Sequence, residues 1–231
     1  LRLKLTTKFI MLTSSALLVT MILFALFNIS SLQNAFLEAS LEDLDNLSET
    51  IIRTTHYQML EDDRERVYQM MEEVGEQKGI ERIRIFNKEG IISFSTDKAE
   101  KGSLVPVDEE GCVGCHFSET PLVRAPTESR SRIFRNGTGA EVLGLTKEIR
   151  NQKSCYTAEC HFHPQNVSCL GILDVHVSLA GMNATVNAYR SEILVFTFVL
   201  LSVLSACLAV MTRRFVNIPI TRLVEHTRKL A

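Results

Sequence analysis

The sequence predicts an α+β protein in which two membrane-spanning helices flank an antiparallel sheet. Three observations carry that reading. Long charge-free apolar runs lie near both ends, a helical repeat follows the first run, and the middle alternates apolar and polar residues between turn signals. Residues 1–8 form a short basic terminus with Arg2, Lys4 and Lys8. Phe9 to Ile29 is 21 residues without a charge and predicts the first transmembrane helix, 9–29. The second transmembrane helix, 191–212, contains the 20-residue run Ile193 to Thr212 and is closed by Arg213 and Arg214. At a rise of ~1.5 Å per residue, each run matches a hydrocarbon core of about 30 Å. A secretory signal peptide fits the first run poorly, because its apolar part exceeds about 15 residues and no small-residue cleavage site follows.

Basic residues lie outside the two runs: the three at the amino end, and Arg213, Arg214, Arg222, Arg228 and Lys229 after the second. Between Ser30 and Arg190 there are 17 Lys and Arg against 25 Asp and Glu. The positive-inside rule therefore predicts cytoplasmic termini and an outer domain at 30–190, with the lipid bilayer as a partner. Its acidity argues against nucleic acid, which requires a basic face.

Each element of the outer domain has its own signal. From Ser30 to about Gly79 there is no proline, and Leu37, Leu41, Leu44, Leu47, Ile51, Met59, Val67, Met70 and Val74 recur mostly at steps of three and four. This predicts a long membrane-proximal helix that continues the first span and packs against a second copy in a homodimer. A break near "LEDDRE" (60–65) is the alternative. The period then changes to two. "IERIRIF" (80–86), the turn "NKEG" and "IISFS" (91–95) predict one hairpin; "SRIFR" (131–135), "NGTG" and "EVLGLTKEIR" (141–150) predict another. "VSCLGILDVHVSL" (167–179) predicts the last strand, with Val167, Cys169, Leu173, Val175, Val177 and Leu179 on one face. His176 has the opposite parity and is expected to face solvent, and Cys169 is expected to be buried. A helix from about Ala180 leads into the second span.

Two cysteine motifs sit in the loops. "CVGCH" holds Cys112, Cys115 and His116; "CYTAECH" holds Cys155, Cys160 and His161. Covalent haem needs two thiols for its two vinyl groups and a histidine under the iron, and C-x-x-C-H supplies them. C-x-x-C alone also serves redox centres and halves of zinc sites. The wider second spacing by itself equally allows a Cys155–Cys160 disulfide or a four-thiolate zinc site. The histidine directly after each pair, and an outer compartment where free thiolates do not persist, favour c-type haem, with two copies expected. His163, His56 and His176 are the candidate sixth ligands. Met59, Met70 and Met71 lie at helical spacing and read as core or seam. Cys207 reads as a small apolar filler in the second span.

"CYTAECH" resembles the expanded attachment sites of small multihaem cytochromes c, and "CHFHP" resembles their pattern of a nearby histidine that ligates a neighbouring haem. "IRIFNKEGIISFSTD" and "CLGILDVHVSL" resemble the PAS-like or Cache-like c-haem sensor domains of bacterial receptors. "RRFVNIPITRLVEHTRKLA" (213–231), with Pro219 near a helix start and Ile220, Leu223, Thr227 and Leu230 as a seam, resembles the first helix of a HAMP linker. Together these imply a two-pass protein of the bacterial inner membrane with 30–190 in the periplasm. They imply a sensor of redox state or a small gas, and a cytoplasmic output module beyond residue 231, most simply a histidine kinase; no catalytic motif occurs within the chain. The rival from another class is a membrane-anchored multihaem cytochrome for electron transfer. A third is a Cache-type receptor whose cysteines form only disulfides.

Overall fold

The computed structural model describes residues 5–106, 108, 112, 126–157 and 163–220. The chain divides into two compact units, Phe36–Asn183 and a second made of Leu1–Ala35 with Ala184–Ala231.

In the second unit the sequence's apolar runs belong to two helices. Helix α1, Leu5–Leu60, is unbroken for 56 residues, so the first apolar run and the amphipathic repeat are one element. Two segments, Met11–Leu60 and Ala180–Ile220, are long and apolar enough to cross a membrane. A core helix of a soluble protein would bury such side chains; here Leu12, Phe27, Phe196 and Phe198 are about 70% exposed (69, 72, 68 and 71%). Large apolar side chains left uncovered in this number suit a hydrocarbon solvent. The sequence places a helix start near Pro219. Instead the chain stays helical through a π turn at Arg213–Asn217, in which the Ile218 N–H donates to the Arg213 carbonyl. Pro219 has no N–H to continue the regular ladder, and a wider turn beside it accommodates the loss.

In the first unit, α1 ends at the break that the sequence offered as an alternative. Asp62 takes φ +55°, and Asp63 caps the next helix, α2 (Arg64–Gly75), by accepting from the Arg66 N–H. Five strands follow: β1 (Ile80–Phe86), β2 (Ile92–Ser95), β3 (Ser131–Arg135), β4 (Glu141–Arg150) and β5 (Cys169–Ser178). They form one antiparallel sheet in the order β2-β1-β5-β4-β3. Both expected hairpins are present. In the first, Asn87 Oδ1 accepts from the Glu89 and Ile91 N–H groups, and Gly90 adopts φ +79°, which a β-carbon would oppose. Short helices α3 (Thr127–Arg130) and α4 (Lys153–Tyr156) lie in the connections, and α5 (Ala180–Thr212) begins where the sequence expects.

One face of the sheet carries the core. Ile83, Phe94, Leu143, Leu145, Leu173 and Val175 meet Leu44 and Ile51 of α1 and Val67 and Met71 of α2. Each such side chain contributes about 1.5–3 kcal/mol on burial. Met71, not Met70, is the buried methionine of α2. Beside this core, Lys147 of β4 reaches Asp45 and Glu49 of α1, each at 3.1 Å.

Two expectations along β5 are overturned. His176 is 4% exposed rather than solvent-facing, and Cys169 is only half-buried, its Sγ 3.3 Å from the Gly171 carbonyl. The parity argument assumed one dry and one wet face. At the middle of β5 both faces are covered, and at its start neither is fully covered.

Candidate functional site

The second cysteine motif begins on α4, in a loop closed at its neck by Asn151. The Asn151 side-chain amide donates to the carbonyls of Pro164 and Val167, and its backbone N–H donates to Ser168. Cys155 is buried, and its carbonyl accepts from the His163 N–H at 3.3 Å. His56, projecting from α1 ninety-eight residues earlier, has Nε2 3.0 Å from Ser154 Oγ. The structure thus gathers His56, Cys155 and His163 around one loop. Cys160 and His161 lie outside the described residues.

From the first motif, Cys112 is described and Cys115 and His116 are not. Cys112 packs against Phe86, Ile92 and Val105, with Ile172 beside them, at one end of the sheet face opposite the helices. The strand-period alternation of β1 and β5 explains the placement: Phe86 and Ile172 are cross-strand partners and project together.

Along that same face runs a charged cluster which sequence reasoning missed. Asp174 is fully buried. Arg84 Nη2 donates to its Oδ2 at 2.6 Å, and Arg132 Nη2 lies 2.9 Å from both of its oxygens. His176 Nε2 is 2.9 Å from Asp174 Oδ2 and 2.8 Å from Arg132 Nη2. A guanidinium only donates, so this nitrogen serves one partner at a time, donating to the carboxylate or accepting from the arginine. Phe134 meets the imidazole edge-on at 5.0 Å. Arg82 and Ser95 hold Glu100, which stands 3.8 Å from Arg84. Gly144 leaves room for all this: a β-carbon there would stand 3.1 Å from Arg132 Cζ and from His176 Cδ2. The sequence signal was present in "RIRIF", "SRIFR" and "LDVHV", where Arg84, Arg132, Asp174 and His176 alternate with apolar residues inside strands, but the amphipathic reading assigned them to water.

Burial alone would raise the Asp174 pKa; the His176 hydrogen bond and the two guanidiniums more than reverse this and hold it well below the usual carboxylate range. Burial pushes the His176 pKa down, Arg132 and Arg84 add to the shift, and Asp174 opposes it. Both shifts are downward, so both groups contribute stability above their unfolded pKa values that is lost on acidification. The loss begins below ~6.5 for His176 and below ~3.9 for Asp174. The thermal midpoint of the protein should therefore fall as pH drops from about 7 to about 5, and the variant His176→Asn should flatten that slope. Equal slopes in melts of the two proteins would refute the assignment.

No protein-family model matches this chain, and no curated protein matches it.

Proposed function

We propose that this chain is the input part of a two-pass receptor of the bacterial inner membrane, whose periplasmic PAS- or Cache-like domain senses redox state or a small gas through covalently attached c-type haem. Cys112, Cys115 and His116 hold one haem, and Cys155, Cys160 and His161 hold the second. The observation that carries the reading is the meeting of His56 and Ser154 at 3.0 Å, directly beside buried Cys155. It sets a nitrogen of α1, the helix whose amino-terminal part is apolar enough to cross a membrane, against the loop that bears the second motif.

The residues present fit the group. Two thiols and a following histidine are the donor set that a c-type haem uses, Cys112 sits in an apolar lining, and His56 and His163 offer imidazoles at the second loop. Bound haem supplies an iron that changes oxidation state or takes a small ligand. The protein's part is to hold and transmit. Asn151 closes the neck of the second loop, Ser154 orients the His56 ring, and Lys147 ties β4 to α1 through Asp45 and Glu49. A rearrangement of α4 that breaks the His56 contact alters the packing of α1. A stimulus acts only by favouring one arrangement over the other. The HAMP-like seam read from the sequence at 220–230, which beyond residue 220 lies outside the described residues, is the proposed receiver, and a second copy completes it; a histidine kinase is the proposed output.

The test is direct. Membranes containing the protein should show c-type absorption bands that survive acid–acetone extraction. The pairs Cys112→Ser with Cys115→Ser, and Cys155→Ser with Cys160→Ser, should each halve the covalent haem. A colourless protein refutes the reading and leaves the disulfide-only receptor.

A further inference from the structure

The face of the sheet beneath Cys112 is amphipathic along its length. Its first end is apolar: Phe86, Ile92, Val105 and Ile172 surround Cys112. Arg84 then lies over the Phe86 ring, with Cζ 5.1 Å from the centroid, and leads to Asp174, Arg132 and His176. The strip is thus continuous by contact from the thiol to the arginines. At its charged end the carboxylates leave one guanidinium nitrogen unused. Two guanidiniums share one fully buried carboxylate, and the next carboxylate, Glu100, lies 2.6 Å from Arg82 and 3.8 Å from Arg84. Arg132 Nη1 is buried and has no hydrogen-bond partner among the described residues. A buried donor on a charged group left so is expensive, and a carboxylate satisfies a guanidinium with strong charge-assisted hydrogen bonds.

A haem has the same polarity, with an apolar ring, thioether links toward one edge and two carboxylates at the opposite edge. We propose that Arg132, seconded by Arg84, receives a propionate carboxylate of the haem anchored at Cys112. The inference rests on the haem reading above and adds to it the orientation of the group on the sheet. It makes Arg132 a positioning residue: the unused Nη1–H donates to the carboxylate while Nη2 stays on Asp174. It also places a fixed positive charge beside the haem, a lever on its potential.

The experiment uses the full membrane-extracted chain and compares Arg132→Gln and Arg132→Lys with the unmodified protein. In Arg132→Gln, covalent haem content should be unchanged. The midpoint potential of one haem should shift downward, because a positive charge that disfavours ferric iron is gone. The propionate bending band in the resonance Raman spectrum should move as well. Arg132→Lys keeps the charge for Asp174 and guards against a folding failure; it should move the Raman band while largely restoring the potential. Haem-loaded protein in which neither the band nor the potential responds to either variant overturns this inference alone. A colourless unmodified protein removes the haem reading and this inference with it.

Discussion

Asp174→Asn should be among the most destabilising single changes in the sheet unit, by about 3–5 kcal/mol. The side chain keeps its shape and loses its charge. Arg84 and Arg132, only 15 and 11% exposed, then have no buried counter-ion. Glu100 stands 3.8 Å from Arg84 but is shared with Arg82 and partly exposed, so it replaces Asp174 only in part. For a unit of this size the loss corresponds to a drop in melting temperature of roughly 6–20 °C, followed by circular dichroism of the sheet signal. The explanation has a sharper consequence. Replacing all three partners with apolar residues, Arg84→Met, Arg132→Met and Asp174→Leu, should recover much of the loss, because the desolvation penalty leaves with the charges. A single variant as stable as the parent protein would show that water reaches the cluster and that its ion pairs are of the weak, exposed kind.

Leu173→Ala should cost about 2–5 kcal/mol. Leu173 has 0% exposure on the central strand, packed in the same cluster as Leu44 and Ile51 of α1 and Met71 of α2. Its neighbours belong to helices and strands fixed from several sides, so the cavity closes only in part. Ile133→Ala is the matched control: it sits on the edge strand β3 at 50% exposure and should change stability by no more than about 0.5 kcal/mol. Urea unfolding of the two variants measures both. Similar losses in the two would mean that the core is not seated between the helices and the central strands. For the proposed receptor the change matters beyond stability, since this contact holds α1 against the sheet.

The elements themselves were legible because their signals are local. The charge-free runs, the three- and four-residue steps after them, and the Asn-Gly turn of the second hairpin act over a few residues each. They delivered the long helices, both hairpins and the strand before Ala180, but not the one-turn helices α3 and α4. The break at Glu61–Asp63 was harder to read, since nothing but acidic residues marks it, and only the positive φ of Asp62 shows the chain turning. The candidate site divides the same way. The cysteine spacings stand in the text of the sequence. That His56 reaches Ser154 does not, because their separation is ninety-eight residues and no local pattern records it.

By its own order the sequence determined which segments are helix, which are strand, and where two helices apolar enough to cross a membrane fall. Those properties follow from near neighbours along the chain. Only the tertiary structure decided that β1, β3 and β5 bring Arg84, Arg132, Asp174 and His176 together on one face, and that Asp174 and His176 are buried there. Strand order and the burial of a sheet's second face depend on what is packed over it, and that is a property of distant residues meeting in space.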